Sequence, residues 1–148
     1  MEIVTSRFGT LEVEDERIVT FTKGLLGFPG RSRFALIQTN EENYFFWLQS
    51  LEEPGLAFVV TDPSTFFKEY EVPLREETQL EIELEDVAST QVLVICNKIG
   101  DWLTGNLLGP LVLNVANQLA TQVVLTDKKW TTRQPLLRLG HEQLAKAG

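Results

Sequence analysis

Alternation of apolar and polar residues with a period of two is the feature that most restricts how this chain can fold. It is clearest over residues 11–14 and 80–85, where every second residue is a glutamate. Such alternation is typical of strands that place one face on a core and the other in water. Helical periodicity is scarce, and the chain of 148 residues contains many short apolar runs at close spacing. We therefore expect a single all-β domain over residues 1–148, an antiparallel β-barrel or sandwich with little helix.

Other strand candidates are runs rich in Val, Ile, Phe and Leu that are bounded by Gly, Pro, Asn or Asp. The polar residues 14–17 predict a hairpin turn before Ile18, and residues 63–70 predict one or two helical turns capped by Asp62. From Pro135 the tail is expected to hold a short helix, or over residues 137–148 to be flexible. The strand candidates are residues 33–38, 45–51, 56–61, 92–96, 111–115 and 122–125.

Acidic side chains are concentrated in the middle of the chain. The net charge is -8, but residues 41–86 hold thirteen acids and two bases, a charge of -11, whereas the rest holds eleven bases and eight acids, a charge of +3. On a strand over residues 80–85, Glu81, Glu83 and Glu85 would project from one face. Three interpretations stay open: a solvated outer face, a docking face for a basic partner, and a calcium site without the usual loop motif.

The composition excludes several classes of function. Strong net acidity argues against binding nucleic acid or an anionic membrane surface. A single cysteine, Cys96, excludes an internal disulfide and a multi-cysteine metal site, and a single histidine, His141, gives Ser–His or Cys–His catalysis little to rest on. A lone cysteine, together with the absence of a secretory signal and of an apolar run of about 20 residues, predicts a cytoplasmic protein. No spacing among the acids selects a catalytic pair, and we expect no catalytic residue, metal or cofactor.

A glycine-rich stretch over residues 24–30 resembles a phosphate-binding loop only superficially. It lacks the Lys-Ser/Thr ending of such loops and carries bulky apolar residues between its glycines. We expect a kinked loop between strands whose Leu25, Leu26 and Phe28 cover the core. Cys96 ends an apolar strand-like run and is expected to be buried and unreactive.

The three tryptophans separate into two groups. Trp47 follows two phenylalanines in a strand candidate and is expected in the core, whereas Trp102 and Trp130 stand in polar surroundings and are expected to be partly exposed. Exposed aromatic side chains frequently anchor protein interfaces. The residues alone thus favour a protein-binding module. The alternatives are a barrel that holds a small apolar ligand and an uncharacterised enzyme in such a barrel.

Several short stretches of the sequence are characteristic in their order and spacing. They are residues 20–28 with 33–37, then 46–51, 56–63, 70–71, 106–114 and 122–125. In the order and spacing of these stretches the chain resembles the FliW family of flagellar assembly factors from Arg7 to about Leu136. The sequence departs from the family pattern at Thr22-Lys23, where Pro-Glu is frequent, and at Gly109, where Ala is common before Pro110.

This resemblance implies two protein partners and no catalytic residues. Proteins of this kind bind CsrA, a dimeric RNA-binding repressor, which relieves its block on flagellin mRNA, and they also bind flagellin, which sequesters them. An acidic mimic that competes for the RNA site is a further alternative. We expect a free monomer that contacts neither nucleic acid nor membrane directly. The partner-binding residues are expected among the acids Glu69, Glu71, Glu76, Glu77, Glu81, Glu83 and Glu85.

Overall fold

The computed structural model describes residues 1–38 and 44–139. Within these residues seven strands close into a β-barrel, which confirms the all-β prediction. Their neighbours are antiparallel except for one parallel pair, in which Leu119 lies opposite Thr20. The barrel strands are β3 (Ile18–Phe21), β4 (Arg33–Ile37), β5 (Phe45–Ser50), β6 (Ala57–Thr61), β7 (Thr90–Ile99), β9 (Leu111–Asn114) and β10 (Leu119–Gln122).

The long strand β7 closes the barrel and also extends it. Residues 90–93 of β7 pair with β9, and residues 94–96 pair with β6 on the other edge. Beyond the barrel, residues 96–99 pair with β8 (Trp102–Gly105), which in turn pairs with β11 (Gln134–Arg138). The prediction of a short helix from Pro135 is therefore wrong for residues 135–138, and residues 140–148 lie outside the described part of the chain.

The N-terminal strands form a separate small sheet. Strands β1 (Glu2–Thr5) and β2 (Gly9–Glu12) pair with each other, and Ile3 and Val13 pack on Ala35 of β4. The hairpin turn predicted at residues 14–17 is wrong. A 3-10 turn at Asp15–Arg17 instead connects β2 to β3, because β2 pairs with β1 while β3 pairs with β4 and β10.

Aromatic and branched side chains from all sides of the barrel fill its core. Phe34 is completely buried, and its ring meets that of Phe21 edge to face at 5.6 Å between centroids. Phe21 alternates with more exposed neighbours, as the pleat of a strand requires, whereas Phe34 is followed by the buried Ala35, which the N-terminal sheet covers. Other core residues are Val19, Leu48, Val60, Leu93, Leu111, Leu113 and Ala120.

Most strand predictions are confirmed to within one or two residues. Segments 33–38, 45–51, 56–61 and 111–115 match β4, β5, β6 and β9, and segment 92–96 is the centre of β7. The predicted strand 122–125 is wrong in its bounds, because β10 ends at Gln122. Asp62 caps a 3-10 turn at Pro63–Thr65 through its carboxylate and the N–H of Ser64, as predicted.

Candidate protein-binding surface

A short helix stands where the alternating residues predict a strand. Helix α1 (Glu76–Glu81) is followed by a turn, so the strand expected over residues 80–85 is wrong. Leu80 is largely exposed whereas Ile82 is fully buried. Glu76 and Glu77 occupy the first turn, where negative charge interacts favourably with the helix dipole. Glu81, Glu83 and Glu85 consequently do not share one strand face.

Amide side chains from the end of β9 and the turn after it hold the C-terminal end of α1. The Nδ2 group of Asn114 donates to the carbonyls of Ile82 at 3.0 Å and Glu83 at 3.3 Å, and Asn117 Nδ2 donates to Ile82 at 3.1 Å. Glu83 has a left-handed backbone with a φ of 52°, which ends the helix. Carbonyls at a helix end lack partners within the helix, so these amides fix α1 on the barrel.

Glu81 is a structural residue in this arrangement. Its side chain is 15% exposed, and Oε1 accepts hydrogen bonds from Thr22 Oγ1 at 2.7 Å and Thr121 Oγ1 at 2.9 Å. Lys23 Nζ lies 3.7 Å from the other carboxylate oxygen. Glu81 thus connects α1 to the ends of β3 and β10.

Replacement of Glu81 by alanine is expected to lower the free energy of unfolding by about 1–2 kcal/mol, because two hydroxyl hydrogen bonds to a carboxylate are lost. Urea denaturation would measure this change. Glu85→Ala is the control, since Glu85 is exposed, and it should stay within about 0.5 kcal/mol of the wild type. Equal stability of the two variants would contradict a structural role for Glu81.

The chain that leads to α1 carries Glu69 and Glu71 on its exposed side and Tyr70 on its buried side. The Tyr70 hydroxyl donates to the Leu107 carbonyl at 2.7 Å, and burial raises the pKa of this phenol. Its ring packs against Trp130 with 5.3 Å between centroids. This contact fixes the position of both neighbouring glutamates.

The expectation for Trp130 is wrong, because its side chain is only 7% exposed. It packs against Tyr70 edge to face and against Phe67 at a tilt, and both partners lie far away in the sequence. Trp102 is 44% exposed, as expected. Trp47 is half-buried and contacts Phe8 and Arg7 at the surface of the barrel, so it belongs to the core only in part.

A groove of about 660 Å³ lies between residues 69–81, here called the acidic segment, and residues 121–127. Five carboxylates and three basic side chains line it. Of the expected partner-binding residues, Glu69, Glu71, Glu77 and Glu81 line the groove. Glu76, Glu83 and Glu85 are exposed but do not line it. The structure therefore divides the predicted acidic surface into two parts.

An exposed pair of apolar side chains, Leu26 and Val124, lines the same groove. Leu26 was expected to cover the core; Leu25 does so, but Leu26 points outward, and its N–H donates to Gln122 Oε1 at 3.1 Å. Gly24 takes a φ of 68° next to them, which suits glycine and turns the loop. Apolar residues between glycines were the sequence signal, but it did not show which of them faces water.

Two titratable groups outside this surface, Cys96 and Glu52, have pKa values shifted by the fold. Burial raises the pKa of the Cys96 thiol to about 12, which confirms the expected buried cysteine. Desolvation by itself would raise the pKa of Glu52. The N–H groups of Arg33 and Ser32 donate to its carboxylate, however, and the pKa lies below its ordinary value. His141 lies outside the described residues.

Residues 1–38 and 44–139 contain no cluster of three or more His, Cys, Asp or Glu side chains placed to hold a metal ion. Over the same ranges no helix has the length and apolarity needed to cross a membrane.

Comparison with known proteins gives the chain its family. The model of the FliW protein family matches residues 2–136. A flagellar assembly factor FliW of Treponema denticola is 40% identical over 139 residues, which cover 93% of this chain and 94% of the relative. The Bacillus subtilis protein of that name is 34% identical over 92% of this chain and 96% of its own. A crystal structure of the flagellar assembly factor FliW superposes with a TM-score of 0.83 at 32% identity, covering 93% of this chain and 97% of the other. The chain therefore belongs to the FliW family of flagellar assembly factors.

Proposed function

We propose that this flagellar assembly factor works in the cytoplasm by exchanging two protein partners, CsrA and flagellin, and not by catalysis. Binding to CsrA relieves repression of flagellin mRNA, and accumulating flagellin withdraws the factor from CsrA. The observation that carries the proposal is the acidic surface on α1 and the chain before it, fixed to the barrel of a FliW family member. An RNA-binding protein carries a basic surface, which such acids attract.

The acidic surface has two roles in this proposal. It steers CsrA into contact, because opposite charges raise the association rate most strongly at low salt. Once bound, the same carboxylates repel RNA phosphates near the complex without occupying the RNA site. The residues assigned to this role are the exposed acids Glu69, Glu71, Glu76, Glu77, Glu83 and Glu85, whereas Glu81 is assigned to holding α1.

Flagellin requires a surface of different chemistry. Unassembled flagellin would present an amphipathic helix, which binds in apolar grooves. A second groove of about 940 Å³ is lined by apolar side chains that include Phe28, Phe58 and Ile95. Lys98 and Arg133 also line it, and its described lining residues include no acid. These features support this groove as the flagellin site. It shares Leu26, Val124 and Leu125 with the groove beside the acids, so we expect the two partners to compete.

Isothermal titration with CsrA from the same organism, with and without added flagellin, tests the exchange. We expect saturable binding of CsrA to the free protein and loss of that binding when flagellin is present in excess. Formation of a complex that contains all three proteins would contradict partner exchange. If neither protein binds, the family membership conveys only the fold, and the proposed function is overturned.

Neutralisation of the six exposed acids to glutamine is expected to slow CsrA association about tenfold at low salt, since steering depends on their charge. The difference should disappear at about 0.5 M salt, where the Debye length falls to a few ångströms. Stopped-flow fluorescence would measure both rates. Glu2, Glu14 and Glu16, exposed acids outside this surface, provide a control variant with glutamine at those positions. An equal loss of rate per removed charge in the control would contradict a localised surface.

A further inference from the structure

The chain remains paired on one side after β10 ends. The N–H groups of Val123 and Leu125 donate to the carbonyls of Pro110 at 2.9 Å and Leu108 at 2.8 Å. Their alternation continues the antiparallel ladder of β10 with β9. The backbone groups of Val124 and Thr126 point to the other side, and within the described residues none of them has a hydrogen-bond partner. Residues 122–126 thus present an open sheet edge.

The edge is open because β3 leaves the sheet early. Strand β3 pairs with β10 only at Leu119 and Ala120, and the last bond runs from the Thr22 N–H to the Ala120 carbonyl at 3.1 Å. The loop that follows covers Gln122 through Leu26 and then turns away. All residues from 121 to 127 line the groove next to the acidic segment. A neighbouring strand position is therefore vacant beside Val124.

The chemistry around this position indicates what fits there. The groove wall opposite the edge carries the exposed acids Glu69, Glu71 and Glu77. Of the three basic side chains in the groove, Lys23 lies near Glu81, and Lys129 lies over the ring of Trp130 at 5.2 Å. The third, Arg75, is outnumbered by the four other carboxylates of the lining. Val124 is 67% exposed and offers an apolar contact for an alternate side chain. The groove thus favours a segment with basic and apolar residues in alternation.

We propose that residues 122–126 bind an extended basic segment of a partner protein as an added β-strand. Main-chain hydrogen bonds from Val124 and Thr126 supply affinity, and the acids across the groove select basic side chains, as in other cases of strand addition. This inference goes beyond the proposed function, because it assigns a binding mode and a chemical class of segment without depending on the identity of the partner.

A fluorescein-labelled peptide of alternating lysine and valine, about eight residues long and blocked at both ends, is a suitable probe for strand addition. Fluorescence anisotropy should show binding to the wild type that weakens at least about tenfold in Val124→Pro, which removes the N–H and one bond of the ladder. We expect the free protein to tolerate this change, because that N–H has no partner within the described residues. Val124→Thr keeps the N–H and should bind within about twofold of the wild type, given the small effect of exposed substitutions. Binding by Val124→Pro at wild-type strength, or no binding of the peptide to the wild type, would overturn the inference.

Amide hydrogen exchange on the wild type provides a readout that needs no variant. Added peptide should slow exchange at Val124 and Thr126, while Val123 and Leu125 change little because their N–H groups are already bonded. This alternating pattern is specific to pairing along the edge. Uniform protection of the four residues, or protection elsewhere on the barrel, would overturn the inference even if a variant failed to fold.

Charge selection is tested with two matched variants. Glu69, Glu71 and Glu77 line the groove, whereas Glu76, Glu83 and Glu85 do not, so glutamine at either set removes the same charge. Only the first set should weaken the peptide severalfold at low salt. Equal weakening by both sets would overturn the assignment, as would a dimer of this chain that Val124→Pro abolishes, because a second copy would then be the occupant.

Titration with CsrA in parallel separates this inference from the proposed function. Peptide binding at the edge without CsrA binding supports this inference and contradicts the proposed function, and the reverse result does the opposite.

Discussion

Trp130→Ala is expected to lower the free energy of unfolding by about 3–5 kcal/mol, the usual range for removal of a buried large aromatic side chain. The indole is buried and contacts Phe67 at 5.1 Å and Tyr70 at 5.3 Å between ring centroids. Its loss would leave a cavity beneath the chain that carries Glu69 and Glu71. The variant should also bind CsrA more weakly, because those glutamates lose their fixed positions.

Urea denaturation measures the loss of stability. Titration with CsrA, at a temperature below the midpoint of thermal unfolding of the variant, measures the weaker binding. Trp102→Ala provides the matched control, because it removes the same side chain from an exposed site. It should change the free energy of unfolding by no more than about 0.5 kcal/mol. A loss of stability as large as that of Trp130→Ala would show that exposure does not distinguish these two residues.

Asn114→Ala is expected to lower the free energy of unfolding by about 2–4 kcal/mol, because buried backbone groups lose their hydrogen-bond partners. The buried amide donates to the carbonyls of Ile82 and Glu83, and its Oδ1 accepts the N–H of Ala116 at 3.0 Å. Without these bonds the C-terminal end of α1 is no longer fixed to the barrel. In this variant we expect the backbone amides of α1 to exchange with solvent faster than in the wild type, whereas those of β5 should change less.

Asn117→Ala serves as the control for this variant. Asn117 also donates to the Ile82 carbonyl, at 3.1 Å, but it is exposed, so water replaces the lost bonds. Its cost should stay near 1 kcal/mol or below, within the range of about 0.5–1.5 kcal/mol for one net hydrogen bond. If Asn117→Ala frees α1 as much as Asn114→Ala does, the buried amide is not the main anchor.

The strands that could be read from the sequence are those in which local pattern and final burial agree. Residues 33–38 and 56–61 are rich in apolar and aromatic side chains, and each segment contains a barrel strand. Residues 80–85 have an equally clear pattern but fold as the end of a helix and a turn. Ile82 is buried there, and the side-chain amides of Asn114 and Asn117 donate to its carbonyl from more than thirty residues away in the sequence.

The candidate site divides in the same way. The concentration of acids in residues 41–86 is a property of composition, and the sequence was sufficient to expect an acidic surface. Which acids are free to meet a partner depends on neighbours from other strands. Thr22 and Thr121 hold Glu81, for example, whereas Glu77 stays in the groove with an exposed side chain.

The sequence by itself determined the strand-rich class, the family, the buried cysteine and the charge asymmetry, because each follows from residue type and order along the chain. Only the tertiary structure decided how the barrel closes, where α1 lies and where the sheet edge at Val124 stays open. These features depend on pairings between distant segments, such as the parallel contact of β10 with β3. Local periodicity records which face of a strand is apolar, but the partner that covers that face is chosen by packing across the whole barrel.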